Sequence, residues 1–196
     1  MKYFIVGLHG SGKQEIIDIL ERQGVKCGKL FSNIENPSSK IYGSFNYELF
    51  STADVNEVFE NKAYVFLREL KHDTEKYYEG LSTYEVDNNE VFVLSPDQLV
   101  SISPNMMPKD VCFVWLDNTR SNRQNRYRDE RCEYDFNERE TMEHQDIDTF
   151  IKNIYSYDNS NILYFMNEVP VRVAAIIFAL VTHPDLLPAY SQAFGS

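Results

Sequence analysis

The sequence predicts an α/β fold, a parallel sheet with helices on both faces, and three observations predict it. An apolar run, Tyr3-Phe4-Ile5-Val6, leads straight into a glycine-rich turn, Gly7-Leu8-His9-Gly10-Ser11-Gly12-Lys13-Gln14. Two later runs, Glu90-Val91-Phe92-Val93-Leu94 and Val111-Cys112-Phe113-Val114-Trp115-Leu116, are apolar without alternation, the mark of strands buried on both faces. Segments with helical spacing separate these runs, and strands alternating with helices build parallel sheets covered on both sides. Ligands in such sheets sit beyond the carboxyl ends of the strands, where the glycine-rich turn falls.

The turn itself is specific. Seven of its eight positions fit the phosphate-binding pattern G-x-x-x-x-G-K-[ST], and only Gln14 departs. Glycines let main-chain N–H groups curl around an anion, and the following helix aims its unpaired N–H groups and positive dipole end at the same place. His9, Gly10, Ser11, Gly12, Lys13 and Gln14 are thus the expected phosphate cradle, with Lys13 reaching β- and γ-phosphates. A P-loop NTPase-type sheet is the fold this motif belongs to.

The remaining elements follow in order. Glu15 to Arg22 carries Ile16, Ile17, Ile19 and Leu20 at helical spacing, and Gly24 closes that helix. Val25 to Phe31 reads as a second short strand and Asn33 to Ser44 as loop. Tyr47 to Ser51 is short and β-prone, and Thr52 to Phe59 reads as a capped helix. Ala63 to Leu70 is an expected strand, Thr74 to Thr83 a turn or strand edge. Asp97 to Ile102 makes a helical turn or two. A helix is expected from Asn118 through the arginine-rich stretch and another from Asp146 to Tyr155. Ile162 to Met166 is the last strand, and Val169 to Val181 the last helix. His183 to Ser196 has two prolines and no clear period.

Composition narrows the function. A chain of 196 residues with 43% apolar residues supports one compact domain with a substantial core. A net charge of −11 argues against nucleic acid or an anionic membrane as partner. No apolar window reaches the 18 or so residues of a membrane span. Cys27, Cys112 and Cys132 are scattered, without zinc spacing, and read as reduced thiols of a cytoplasmic protein. His72, His144 and His183 form no partner pattern.

An acidic protein that handles polyphosphate must concentrate positive charge somewhere. Arg120, Arg123, Arg126, Arg128 and Arg131 are five of the nine arginines, within twelve residues. On a helix Arg120, Arg123, Arg126 and Arg131 share an arc of about 140°. Such a run alone reads as a solvated, salt-bridged face offset by Asp129, Glu130, Glu133 and Asp135. Beside a phosphate loop it reads as phosphate-facing, because guanidinium forks match phosphate oxygens and stabilise charge in phosphoryl transfer. Arg139 stands farther on and completes the set.

This order of parts resembles the guanylate-kinase-like branch of the P-loop nucleoside monophosphate kinases, in divergent form and over most of the chain. The resemblance implies a core (1–30, 86–118, 141–196), a nucleoside-monophosphate (NMP) binding insertion (31–85) and an arginine-rich lid (119–140). Tyr47 of Tyr47-Glu48-Leu49-Phe50-Ser51, Glu69 of Phe66-Leu67-Arg68-Glu69 and Tyr78 of Tyr78-Glu79-Gly80-Leu81-Ser82 are similar to the family's acceptor-binding residues. Arg123, Arg126, Arg131 and Arg139 approximate its lid arginines, Arg123 for the donor nucleotide and the other three, with Lys13, for transfer. Tyr157-Asp158 and Phe165-Met166-Asn167 resemble its closing elements. ATP and Mg²⁺ are the implied cofactors, with Gln14 and Asp97 (or Asp117) as candidate metal groups. The family's arginine doublet has no counterpart in Ser32-Asn33-Ile34-Glu35-Asn36-Pro37, which leaves the base open.

The expected activity is phosphorylation of a (deoxy)nucleoside monophosphate by ATP, in a bacterial or phage cytoplasm, by a monomer or homodimer. Two alternatives stay open: a non-catalytic binding module of the same shape, and a P-loop kinase of another small phosphorylated acceptor.

Overall fold

A computed structural model of the chain describes residues 1–32, 47–49, 64–72, 75–129, 136–154 and 161–194. Its centre is a four-stranded parallel sheet in the order β6-β1-β7-β8, formed by Val91–Leu94, Lys2–Gly7, Val111–Asp117 and Asn161–Met166. Cys27 adds a single parallel bridge to Val91 on the free side of β6. The expected second strand is therefore one bridge here, and pairing resumes only at β2, Leu30–Ser32, in another sheet. That sheet runs β3-β2-β5-β4, with β3 at Tyr47–Leu49, β4 at Tyr64–His72 and β5 at Glu75–Ser82. β4 and β5 pair antiparallel along most of their length, so the stretch expected as a turn or edge is a full strand. The expected helix at 52–59 lies outside the described residues.

Alternation along β1 divides the core. Tyr3 and Ile5 face one cluster with Ile16, Ile17 and Leu20 of α1 (Lys13–Arg22) and Val173, Ala174, Ile177 and Leu180 of α6 (Pro170–Thr182). Phe4 and Val6 face the other, with Phe92, Phe113 and Leu99 of α3 (Pro96–Val100). Phe4 lies 5.2 Å from the Phe92 ring and 6.1 Å from the Phe113 ring, centroid to centroid. Each such ring, fully buried, contributes about 1.5–3 kcal/mol, so the sheet is a rigid base for what its strand ends carry.

Helix ends follow local chemistry. α1 closes through Gly24 N–H to the Glu21 oxygen (2.9 Å) and Val25 N–H to the Leu20 oxygen (3.1 Å), a Schellman pair. α2 (Thr83–Asn88) is capped by Ser82, whose hydroxyl accepts the Glu85 N–H. α3 has Pro96 in its first turn, and the Gln98 side chain accepts the Ser95 N–H at 2.9 Å.

Three boundaries differ from expectation. The arginine-rich helix, α4, covers Arg120–Asp129, and a separate helix, α5, starts at Phe136 and runs to Ile154, ten residues before the expected start. Its inward positions are Phe136, Arg139, Glu143 and Ile147, so charged residues sit where an apolar stripe would have marked the helix. The tail also folds, as a short 3-10 turn at Pro184–Leu186 and α7 at Leu187–Phe194. Leu187 and Tyr190 pack onto the same core cluster as α6. Among the described residues no single helix is long and apolar enough to cross a membrane. Cys27 and Cys112 are buried free thiols, and burial pushes both up to about 12.

Candidate phosphate-binding site

The glycine-rich turn joins β1 to α1 as a loop with two left-handed residues, Gly10 (φ 73°) and Gly12 (φ 87°). A side chain at Gly12 would come within 2.4 Å of Arg126 Nη1 and 2.6 Å of Asn167 Nδ2. At Gly10 it would strike the Arg123 main chain, 2.8 Å from its oxygen. Glycine is needed there twice over, for the dihedral and for the space. The N–H groups of Gly10, Gly12 and Gln14 donate to no acceptor among the described residues. Lys13 is buried at the start of α1, and its ammonium donates to the carbonyls of Gly7 (2.7 Å) and Leu8 (3.0 Å). Glycine-rich main chain with amides left over and a buried lysine beside them is chemistry that suits an anion.

Arginines of α4 come to this loop. Arg126 donates to the Gly10 oxygen at 3.1 Å and to the Glu15 carboxylate at 2.8 Å. Arg123 is buried, donates to the Asn118 oxygen at 2.9 Å and to Asp117 at 3.3 Å, and pairs with Glu140 of α5. Arg120 pairs with the same Glu140 and stacks over the Phe136 ring at 5.6 Å. Burial works against the Glu140 charge, but hydrogen bonds from Arg120 and Arg123 outweigh it and hold the carboxyl below its usual range. Arg139, also buried, donates to Glu143 at 3.2 Å. Glu143 in turn accepts the His9 N–H at 2.8 Å. His9, Arg123, Arg139 and Glu143 border a cavity of about 10 Å³, room for about one water molecule. Arg131 lies outside the described residues.

Asn167, fully buried after β8, closes the loop from the far side. Its amide donates to the Ser11 oxygen at 2.7 Å, and its own main-chain oxygen accepts Asn118 Nδ2 at 2.9 Å. Nothing local in the sequence marks Asn118, Glu15, Glu140 or Glu143 as partners of this loop. Glu15 meets Arg126 across 111 residues of chain and Glu143 meets His9 across 134, and only the fold brings them together.

Gln14 occupies the position where the pattern has a hydroxyl. Its Nε2 donates to Asp18 at 2.8 Å, which fixes the amide orientation because a carboxylate only accepts. Gln14 Oε1 is left buried with no hydrogen-bond partner among the described residues, a position that fits a bound cation such as Mg²⁺. Asp97 is engaged elsewhere: one oxygen meets the Arg68 guanidinium and the other the Ser95 hydroxyl. Asp117 accepts from Asn118 N–H and, at 2.8 Å, from the Tyr164 hydroxyl. Among the described residues no group of three or more His, Cys, Asp or Glu side chains forms a metal-binding set.

The expected acceptor residues share the second sheet. Glu69 and Tyr78 are directly opposed across β4 and β5, with the Tyr78 hydroxyl 3.3 Å from the Glu69 carboxylate, while Tyr47 lies on β3 at the far edge. Glu69 is exposed. Alternation turns its neighbour Arg68 the other way, onto buried Glu79 and Asp97 at the start of α3. Burial opposes the Arg68 charge, but the two carboxylates more than restore it. Sequence reasoning missed Arg68 and Glu79, because Val65 and Phe66 are both buried and alternation alone does not choose between Arg68 and Glu69.

No family model matches the sequence, and no curated protein sequence matches it either. Solved structures do match by shape. A guanylate kinase from Anaplasma phagocytophilum superposes with a TM-score of 0.52 at 9% identity, over 94% of this chain and 85% of that one. At that identity the likeness speaks to the fold, and it agrees with the parallel sheet and its helices: the chain has an α/β, P-loop NTPase-type fold.

Proposed function

We propose that the chain transfers the γ-phosphoryl group of ATP to a nucleoside monophosphate, giving the diphosphate, in the cytoplasm. The observation that carries this reading is convergence: Arg126 and Arg123 of α4 lie against the same glycine-rich loop to whose carbonyls Lys13 donates. Phosphoryl transfer asks for positioning and charge stabilisation more than for covalent help, and these groups supply both. Lys13 exchanges two loop carbonyls for β- and γ-phosphate oxygens. The N–H groups of His9, Gly10, Gly12 and Gln14 hold the rest of the donor's phosphates. Arg126, with Arg131 and Arg139, takes the charge that spreads over the moving phosphoryl group, and Arg123 steadies the donor. Gln14 Oε1 would hold Mg²⁺, which would supply further neutralisation of the phosphates. Glu69, Tyr78 and Tyr47 on the second sheet hold the acceptor. Labelled ATP offered with each common ribo- and deoxyribonucleoside monophosphate tests this: one diphosphate product is expected, and none from any acceptor would defeat the reading.

A second reading, a nucleotide-free binding module of the same fold, draws on the Glu143 carboxylate already seated on a loop amide and on the amide at position 14. Thermal shift separates the two, because ATP with Mg²⁺ raises the melting temperature of a kinase by linkage and leaves a module without a nucleotide site unmoved.

A further inference from the structure

We infer that Glu143 is an internal anion for the phosphate loop: its carboxylate holds an amide that a nucleotide phosphate takes, and nucleotide binding expels it. The inference rests on the nucleotide-binding reading above and adds what that reading must overcome. A carboxylate at an inward position of α5, 7% exposed, persists only with good partners. Glu143 has two of different kinds. One oxygen faces the Arg139 guanidinium at 3.2 Å, and the other accepts the His9 N–H from within the loop at 2.8 Å. Carboxylate and phosphate oxygens are interchangeable to an N–H donor and to a guanidinium, so Glu143 satisfies both groups as a phosphate would.

The same exchange recurs around the loop. Glu15 holds Arg126, and Glu140 holds Arg123 and Arg120. Three glutamates on α1 and α5 thereby pair with Arg120, Arg123, Arg126 and Arg139. Glu143 differs from the other two in that it contacts the loop itself, so it competes with a phosphate for the same amide. Competition by an internal group lowers apparent affinity by the fraction of molecules in which it is bound.

The test is calorimetric titration of ATP with Mg²⁺ into wild type, Glu143→Gln, Glu143→Asp and Asp148→Asn. Glu143→Gln removes the charge in nearly the same shape. Glu143→Asp keeps the charge and withdraws it from the His9 amide, and it stands in should the glutamine variant fold poorly. Asp148 is exposed on the same helix and controls for net charge. Both Glu143 variants are expected to bind ATP on the order of tenfold tighter than wild type, the scale of one charge-assisted hydrogen bond, with Asp148→Asn unchanged. Equal or weaker binding by both Glu143 variants, where wild type binds, overturns this inference and leaves the kinase reading standing. An equal gain in Asp148→Asn also overturns it, by assigning the effect to bulk charge. No binding by any of the four proteins removes both.

Discussion

Asn167 Nδ2 lies 2.7 Å from the main-chain oxygen of Ser11, tying the end of the last parallel strand to the middle of the glycine-rich loop. The bond spans 156 residues of sequence and braces the loop between β1 and α1. Asn167→Ala leaves a buried carbonyl unpaired, which costs about 1–3 kcal/mol. A melting temperature lower by roughly 2–4 °C for each kcal/mol is expected in calorimetry. No change would mean the loop is shaped without Asn167.

Gly10→Ala places a methyl group against the Arg123 main chain at a left-handed φ of 73°. Backbone atoms cannot swing aside as a side-chain tip can, so α4 must lift from the loop. The variant should lose more than about 1 kcal/mol of stability and bind ATP more weakly. Wild-type affinity would show that loop and α4 need not touch when nucleotide is held.

Glu140 gives a pH dependence with a definite sign. Its folded value is lowered from the ordinary 4.5, because bonds from Arg120 and Arg123 outweigh burial. A lowered carboxyl contributes stability that is full above its unfolded value and lost as pH falls through its folded value. The melting temperatures of wild type and Glu140→Gln should therefore differ most at neutral pH and converge in acid. A gap that is constant from pH 7 to pH 3 would contradict the pairing.

Asp146 has the opposite sign. Burial and then the nearby Asp97 charge raise its pKa, Arg68 opposes them, and Glu143 adds to the rise. A raised carboxyl loses stability as pH climbs above its unfolded value, and the loss is complete once pH exceeds its folded value. Asp146→Asn should accordingly melt above wild type at pH 7, with the gain shrinking toward acid. A lower melting temperature at pH 7 would mean the charge is favourably held.

These contrasts show what a sequence can and cannot carry. The β1–loop–α1 unit was legible because its signals are local: an apolar run, fixed glycines, a lysine and helical spacing follow one another within twenty residues. α5 was half hidden because its buried face includes Arg139 and Glu143, and no apolar period announces a face built on ion pairs. Glu69 and Arg68 are adjacent, so choosing which one faces the core required a strand register, which nonlocal pairing sets. The partners of the arginines were beyond reach for the same reason. Charge runs predict that partners exist; among the described residues the fold supplies Glu15, Glu140 and Glu143.

The central claim is that Lys13 and the lid arginines act on one triphosphate. The most direct measurement is the rate of γ-phosphoryl transfer from labelled ATP to the best acceptor, in wild type, Lys13→Ala and Arg126→Ala. The account predicts that each substitution slows transfer at least a hundredfold, about 2.7 kcal/mol of lost transition-state stabilisation. Transfer near the wild-type rate in Lys13→Ala would contradict it.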